Sequence, residues 1–239
     1  MIESVNNERV KYWTKLNDKK YQVEYGLFLV EGEHLVLEAM HTGLLKEVII
    51  LDGYDFDFVN KTYVKPNVMK KISSLTNAPR IIGVVEMLKP RSIAGNVLIL
   101  DGIQDPGNMG TIIRSSVAFN IDTIILGNGC VSVYNPKVVR ASEGMMFHIN
   151  FIESDIIPII SELKRNDYKI YTTDVIDGTE LSNIKFSNHV GIVIGNEGAG
   201  VSTDIKNVCD EKIYIKMSDS CESLNAGVAT SIILYHLNK

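Results

Sequence analysis

Residues 189–200 have the sequence HVGIVIGNEGAG, in which an apolar run leads directly into a loop with three glycines. An apolar run without polar alternation is typical of a strand that is buried on both faces, as in a parallel sheet covered by helices. The glycines let the loop backbone approach a ligand closely. Glu197 disfavours a phosphate in this loop, so we expect a neutral or cationic ligand, and a glycine-rich turn without any ligand is the alternative.

The spacing of these glycines disfavours two familiar nucleotide-binding loops. Gly195, Gly198 and Gly200 give the pattern G-x-x-G-x-G, whereas a dinucleotide-binding loop has G-x-G-x-x-G. A triphosphate-binding loop requires a lysine after its last glycine, and here that position is Val201. A nicotinamide-dependent dehydrogenase and a nucleotide triphosphatase are therefore disfavoured.

The rest of the chain predicts two α/β domains. Pro90 and Gly95 mark a linker over residues 88–95, so we expect one domain at 1–92 and a second at 96–239. The pattern predicts strands at 26–30, 47–51 and 81–87 and helices at 34–41 and 67–75, followed by strands at 97–100, 123–126, 169–172, 191–194 and 212–215 and helices at 109–119, 136–146, 156–164 and 224–237. Strands alternating with helices predict a parallel sheet, with ligands beyond the carboxyl ends of its strands.

Composition narrows the classes of partner. The net charge is −5, with 13 basic and 12 acidic residues before position 96 and the remaining excess of acid after it, so contact with nucleic acid requires a local basic patch. Three cysteines without a C-x-x-C pair disfavour a zinc site or disulfides. We expect no metal, no apolar run of the ~18 residues that span a membrane, no signal peptide, and a cytoplasmic location.

Two further stretches carry polar residues at predicted helix starts. Asn108 is well placed to cap the helix at 109–119, which is the alternative to a role in a site. Arg114 lies six residues further on, roughly 9 Å along the axis. Because helical side chains lean toward the N-terminus, we expect the guanidinium to reach back toward the preceding loop. A mostly apolar helix also predicts that this arginine has a partner, and a surface arginine is the alternative. Ser223 or Asn225 is expected to cap the last helix.

Together these stretches resemble the three motifs of the SPOUT-class RNA ribose 2′-O-methyltransferases, the TrmH/SpoU family. Motif one is similar to residues 108–114 and 134–142, motif two to 194–200, and motif three to 215–217 with 222–225. The sequence GLFLVEGEHLVLEAMHTG at 26–43 resembles the substrate-binding domain of rRNA-modifying members, whose fold is similar to that of a small ribosomal protein. Departures occur at Lys216, at 218–221 and at Asn120, where family members often have proline or glycine, and they concern loop shape.

The resemblance implies a parallel sheet with a deep C-terminal trefoil knot, S-adenosylmethionine as methyl donor, and a homodimer in which the partner subunit completes each site. The implied catalytic residues are Asn108, Arg114, Glu197, Ser223 and Asn225, and the implied cofactor-binding residues are Ile194, Gly195, Gly200, Ile215, Met217 and Leu224. The family usually assigns the arginine as base. Because a guanidinium rarely loses its proton, we expect Arg114 to clamp an RNA phosphate and stabilise the oxyanion instead.

A basic stretch near the start predicts the contact with RNA. The expected RNA-binding residues are Arg9, Lys11, Lys15, Lys19 and Lys20, interleaved with Tyr12 and Trp13. On one continuous helix Lys11, Lys15 and Lys19 would stack on one face and repel one another, which an anionic partner would relieve. A solvated helix face is the alternative. A second candidate patch comprises Lys61, Lys65, Lys70 and Lys71.

The leading hypothesis is therefore S-adenosylmethionine-dependent methylation of a ribose 2′-hydroxyl in large-subunit (23S) rRNA. A tRNA 2′-O-methyltransferase and an antibiotic-resistance methyltransferase are close variants. A non-catalytic RNA-binding factor for ribosome assembly on the same fold is the alternative from a different class.

Overall fold

The computed structural model describes residues 1–174 and 177–239. Its helices are α1 (Glu8–Lys15), α2 (Lys19–Tyr25), α3 (Glu33–His41), α4 (Pro66–Ile72), α5 (Pro106–Ala118), α6 (Pro136–Ala141), α7 (Ile156–Arg165), α8 (Thr203–Val208) and α9 (Ala226–Leu237). Its strands are β1 (Leu27–Glu31), β2 (Leu45–Leu51), β3 (Lys61–Val64), β4 (Ile81–Glu86), β5 (Asn96–Asp101), β6 (Ile121–Leu126), β7 (Asn150–Glu153), β8 (Lys169–Thr173), β9 (Thr179–Glu180), β10 (Val190–Gly195) and β11 (Glu211–Tyr214).

The chain forms two compact units, one from residues 1–88 and 132–147 and the other from residues 89–131 and 148–239. The linker predicted at 88–95 contains the point, after residue 88, at which the chain passes from the first unit to the second. Residues 132–147 differ from the sequence-based division, because they pack with the first unit although they follow α5 and β6 in the chain. The aromatic ring of Phe28 lies 5.0 Å from that of Tyr134 and 6.3 Å from that of Phe147.

The first unit is built on a four-stranded sheet of order β1-β4-β2-β3. Strand β4 is antiparallel to β1 and β2, and β2 is parallel to β3. Trp13 and Leu16 are fully buried in a core that also contains Ile49, Met69 and Ile82. The sequence pattern missed β3 because this short strand, KTYV, is only partly buried.

A buried carboxylate ties residues 132–147 to the first unit. Glu31 is 8% exposed, and it accepts hydrogen bonds from the hydroxyls of Ser73 and Ser74. Arg140, from α6, lies with Nη1 3.7 Å from Glu31 Oε1 and donates to Ser74 Oγ at 2.7 Å. A buried carboxylate is costly unless it is paired and hydrogen-bonded, and these groups supply both.

The basic stretch at 9–20 is not one continuous helix. Helix α1 ends at Lys15 and α2 begins at Lys19, where the side chain of Asp18 accepts a hydrogen bond from Lys20 N at 2.8 Å. Between the helices, Asn17 Nδ2 donates to Ile72 O at 2.8 Å. The expected stack of Lys11, Lys15 and Lys19 on one face is therefore wrong, because the capping Asp18 starts a new helix.

The second unit confirms the predicted parallel sheet. Its strand order is β7-β6-β5-β10-β8-β11-β9, and the recorded pairs are parallel throughout. Every residue of β10 is buried, as expected for an apolar strand in the middle of a covered sheet. Helices α5 and α9 pack closely, since a Cβ added to Gly227 would lie 3.0 Å from Thr111 and Ser115 Oγ lies 2.6 Å from Ser231 Oγ.

The predicted helix at 136–146 is shorter than expected. Helix α6 ends at Ala141, and Glu143 and Gly144 follow with φ of 49° and 80°. A left-handed backbone cannot continue an α-helix, so the chain turns into a 3₁₀ segment at Met145–His148. Within residues 1–174 and 177–239, no helix is long and apolar enough to cross a membrane.

Candidate active site

A cavity of about 420 Å³ opens beyond the carboxyl ends of β8, β10 and β11. Its lining combines the glycine loop after β10 with the segment after β11, and the wall includes apolar side chains from α9. The lining residues are Thr173, Asp174, Ile194, Gly195, Asn196, Glu197, Gly198, Ala199, Gly200, Lys206, Ile213, Tyr214, Ile215, Met217, Glu222, Ser223, Leu224, Ala226, Ala229 and Ile233. A cavity of this size, with apolar walls and a few polar groups, suits a small ligand.

The glycine loop folds tightly back on itself. A Cβ added to Gly195 would lie 2.1 Å from backbone atoms of Gly200 and Val201, so only glycine fits there. Asn196 organises the turn, because its Oδ1 accepts from Gly198 N at 2.9 Å and its Nδ2 donates to Gly102 O at 2.8 Å. Sequence reasoning missed Asn196, although an asparagine before glycines commonly bonds to the backbone two residues on.

One chain of hydrogen bonds joins the three sequence motifs. Asn225 Nδ2 donates to Asn108 Oδ1 at 2.6 Å, and Asn108 Nδ2 donates to Glu197 Oε1 at 2.6 Å. Asn108 is 7% exposed, whereas Glu197 and Asn225 are exposed. The side chains of Asn225, Asn108 and Glu197 therefore meet at the rim of the cavity, whose lining includes Glu197 and the two neighbours of Asn225, Leu224 and Ala226.

The alternative in which Asn108 caps α5 is wrong. Asp105 is the N-cap of α5, and its Oδ1 accepts from Asn108 N at 2.8 Å. Pro106 occupies the first helical position, where its lack of an N–H costs nothing, so the cap precedes it and Asn108 lies in the first turn. Asn225 is the N-cap of α9, as one of the two alternatives predicted, and its Oδ1 accepts from Val228 N at 3.2 Å.

Arg114 lies on the surface of α5, outside the cavity. It is exposed on α5 and is not among the residues that line the cavity. Ile112, Ile113 and Ser116 take the buried face of the helix, which leaves Arg114 on the opposite side. Within the part of the chain that the structure describes, Arg114 makes no hydrogen bond or ion pair, as in the alternative of a surface arginine.

The structure brings the predicted cofactor-binding residues together. Each of Ile194, Gly195, Gly200, Ile215, Met217 and Leu224 lines the cavity, and so do Glu197 and Ser223. Sequence reasoning missed the ion pair of Lys206 and Asp174, whose Nζ and Oδ2 lie 2.9 Å apart in the same wall. Asp174 follows β8 and Lys206 lies in α8, after β10, so this pair can form because β8 and β10 are adjacent in the sheet.

The predicted RNA-binding cations are not equivalent. Arg9 is paired with Glu47 and lies 4.9 Å from the centre of the Trp13 ring, and Lys11 Nζ is 2.7 Å from Glu8 Oε1. Lys15 and Lys20 lie over the ring of Tyr21, and Lys19 is exposed.

The second candidate patch is partly neutralised. Lys61 Nζ is 3.0 Å from Asp55 Oδ1, and Lys65 Nζ is 2.9 Å from Asp52 Oδ2. No acidic residue lies between these lysines in the sequence, but the loop after β2 supplies both carboxylates.

The three cysteines have different surroundings. Burial raises the pKa of the Cys130 thiol. Burial, together with the nearby Asp210, raises the pKa of Cys209 to about 11. Cys221 is exposed in the loop before α9. Among the described residues, no group of three histidine, cysteine or acidic side chains is placed to hold a metal ion.

Known families and a curated relative match most of the chain. Residues 95–235 match the SpoU rRNA methylase family, and residues 7–83 match the MRM3-like substrate binding domain. The 23S rRNA (guanosine(2553)-2′-O)-methyltransferase RlmP of Bacillus subtilis (strain 168) is 35% identical over 243 residues, which cover 99% of this chain and 98% of RlmP.

Solved structures share the fold over nearly the whole chain. An rRNA methyltransferase from Sinorhizobium meliloti has a TM-score of 0.89 at 25% identity, over 99% of this chain and 96% of that one. The SpoU methyltransferase AviRb from Streptomyces viridochromogenes, solved with AdoMet, has a TM-score of 0.88 at 24% identity, over 98% and 97%. The resemblance inferred from the three motifs is confirmed, and the chain belongs to the SpoU rRNA methylase family.

Proposed function

We propose that this chain transfers a methyl group from S-adenosylmethionine to the 2′-hydroxyl of a ribose in 23S rRNA. The observation that carries the proposal is the chain of hydrogen bonds from Asn225 through Asn108 to Glu197 at the rim of the cavity. The curated relative RlmP, named as a 23S rRNA 2′-O-methyltransferase, supports the choice of substrate.

The residues of the cavity fit S-adenosylmethionine. Ile194, Ile215 and Leu224 offer apolar surface for a purine ring, and the tight backbone of the glycine loop leaves room for close approach. Glu197 is an exposed carboxylate in the lining, which favours a ligand with a positive charge. The cofactor supplies a methyl group on a cationic sulfur. Gly195, Gly200 and Met217 complete the set of residues proposed to hold it.

The polar residues of the rim would hold the nucleotide. Asn108 is fixed by hydrogen bonds through both its amide nitrogen and its amide oxygen, so it holds Glu197 and Asn225 in place before substrate arrives. Preorganised groups of this kind contribute to catalysis because they do not reorganise during the reaction. Ser223, exposed in the same lining, is placed to contact the ribose.

Arg114 is proposed to act on the partner subunit's site. It is exposed, and it does not line the cavity of its own chain. In a homodimer, the guanidinium can clamp an RNA phosphate bidentately and stabilise the developing oxyanion at the neighbouring cavity. It would not serve as the base, since a guanidinium is a poor proton acceptor compared with the usual catalytic bases.

The surface beside Arg114 supports a homodimer. Val228, Ile232 and Tyr235 are 45%, 38% and 57% exposed on α9. Their spacing of four and three residues places them on one helical face. Helix α9 packs on α5, the helix that carries Arg114. A second copy that covers this apolar face would bring its own Arg114 toward the first copy's site.

The remaining parts of the proposal concern organisation. We assign substrate RNA binding to residues 1–92 and catalysis to residues 96–239, in a cytoplasmic protein. A deep trefoil knot in the C-terminal part is supported by the strand order, because β10 inserts between β5 and β8 while the chain continues to β11 and returns as α9 beside α5.

Mixing two inactive variants tests catalysis and the shared site together. Arg114→Ala should abolish methyl transfer to 23S rRNA while the affinity for S-adenosylmethionine, measured by calorimetry, stays within about twofold. Gly195→Ala should be nearly inactive at an S-adenosylmethionine concentration below the wild-type dissociation constant, because the distorted loop binds the cofactor about 10- to 100-fold more weakly. When both are coexpressed with different tags, half of the dimers are mixed and each mixed dimer has one intact site, so about a quarter of the wild-type activity should return.

The outcomes separate the alternatives. Full activity of Arg114→Ala would refute the role of Arg114, and no recovery in the mixed dimers would place it in its own chain's site. A wild-type protein that binds RNA but not S-adenosylmethionine would be a non-catalytic assembly factor. Methylation of tRNA in place of rRNA would overturn the choice of substrate.

A further inference from the structure

Three tyrosines cluster on the surface formed by α1 and α2. The rings of Tyr21 and Tyr25 are nearly parallel, with an interplanar angle of 12° and centroids 6.2 Å apart, and Tyr12 lies 5.2 Å from Tyr25 at 60°. Tyr25 is 37% exposed, and the neighbouring Val23 is 63% exposed. Tyr12 packs against the core of the first unit, whereas Tyr21 and Tyr25 are not part of that core.

Unpaired cations lie over and beside these rings. The ammonium groups of Lys15 and Lys20 lie 5.0 Å and 5.4 Å from the centre of the Tyr21 ring. Neither of them, nor Lys19, forms an ion pair within the part of the chain that the structure describes. Their charges therefore remain available to an anionic partner, in contrast to that of Lys11, which is paired with Glu8.

We propose that Tyr21 and Tyr25 form a stacking platform for unpaired bases of the RNA substrate. Lys15, Lys19 and Lys20 would contact the phosphates on either side of the stacked bases. The inference rests on the proposed function, because it assumes that the first unit receives the RNA, and it specifies that the contacted segment is single-stranded.

The chemistry of the surface favours a single strand over a duplex. Proteins that bind single-stranded RNA combine aromatic rings, on which bases stack, with cations that follow the backbone. Double-stranded RNA is recognised by its shape and through its phosphates and 2′-hydroxyls, with its bases stacked inside. A duplex keeps its bases inside and presents no unpaired base to the rings of Tyr21 and Tyr25, so these rings favour a single strand.

Fluorescence anisotropy with the full chain tests the platform. The probe is a labelled oligoadenylate of about 12 nucleotides, a length within the ~4–16 nucleotides that single-strand sites span. Tyr21→Ala should weaken binding about 5- to 140-fold. Loss of the ring on which one base stacks costs ~1–3 kcal/mol, and 1.4 kcal/mol corresponds to a tenfold change in affinity. Tyr21→Phe keeps the ring and should bind within about twofold of wild type.

Two controls separate stacking from other effects. Tyr63 belongs to the same unit and lies 5.9 Å from the ammonium group of Lys61, so Tyr63→Ala removes an equivalent ring away from the platform and should leave the affinity unchanged. A blunt RNA duplex of the same length should lose no more than about twofold with Tyr21→Ala, because it offers no base for stacking. Circular dichroism checks that each variant is folded.

The inference fails if wild type does not bind the oligonucleotide, if Tyr21→Ala binds it as wild type does, or if the duplex loses as much affinity as the single strand. If rRNA is still methylated in those cases, the proposed function stands although the platform does not. If instead the wild type neither binds S-adenosylmethionine nor methylates rRNA, yet its oligonucleotide affinity depends on Tyr21, the proposed function fails and the platform stands.

Discussion

Replacement of Gly195 by alanine tests whether the tight glycine loop builds the cofactor site. The added Cβ would lie 2.1 Å from the carbonyl carbon of Gly200 and from the amide nitrogen of Val201, well inside the 3.4 Å at which ordinary van der Waals contact begins. Both neighbours are backbone atoms, which cannot rotate away as the end of a side chain can. The loop must therefore move by more than about 1 Å.

The size of the effect follows from this overlap. Overpacking of a well-packed site costs about 1–3 kcal/mol. The displacement of the loop lowers the stability of the fold if the cavity keeps its shape, and it weakens the binding of S-adenosylmethionine if the cavity is distorted. In the second case the dissociation constant rises by roughly one to two orders of magnitude, at 1.4 kcal/mol per tenfold.

Gly198→Ala is the matched control in the same loop. There the nearest atom to an added Cβ is the Asn196 Oδ1 at 3.5 Å, and the backbone φ is not positive. Calorimetric titration with S-adenosylmethionine and thermal unfolding should place Gly198→Ala close to wild type and Gly195→Ala far from it. The reasoning is refuted if Gly195→Ala keeps both the affinity and the thermal midpoint of Gly198→Ala.

Two further outcomes depend on single contacts. Asn108→Asp loses the hydrogen bond to Glu197 and brings two carboxyl groups together. Because Glu197 is exposed, we expect the free energy of unfolding to fall by about 1–2 kcal/mol and the thermal midpoint by about 2–8 °C. Glu197 raises the pKa of the new carboxyl in the folded state, so the loss of stability should shrink as the pH falls toward about 4. Asn207→Asp makes an equivalent charge change at an exposed site and should show neither effect. Iodoacetamide at pH 8 should modify Cys221 well before Cys209, because burial and Asp210 raise the pKa of Cys209 to about 11. Peptide mapping by mass spectrometry should also show that S-adenosylmethionine slows the reaction of Cys221, next to the cavity wall, and equal rates with and without the cofactor would contradict the assignment of the cavity.

The central strand and the glycine loop could be predicted because their signals are local. The apolar run before Gly195 requires burial on both faces, and the glycine spacing rejects two other ligand classes without any coordinates. The proximity of Asn108, Glu197 and Asn225 could be predicted only from the family resemblance. These residues lie far apart in the chain, and no local pattern connects them.

Other features depend on neighbours that a sequence does not reveal. Asp105 and Asn108 are both good capping residues, and Pro106 at the first helical position decides between them. The exposed side of α5, which carries Arg114, is fixed by contacts with α9 and the sheet. Lys206 and Asp174 become partners because β8, β10 and β11 are neighbours in space, although their order in the chain is different.

The inclusion of residues 132–147 in the first unit affects how the protein can be made and divided. During synthesis, Phe28 has no ring from Tyr134 or Phe147 beside it, and the buried carboxylate of Glu31 has no guanidinium from Arg140, until the ribosome has translated well into the second unit. A fragment that stops near residue 92 would keep this exposed apolar ring and unpaired charge permanently. Recombination that exchanged the front part of the gene alone would meet the same obstacle, so the two stretches should be inherited together.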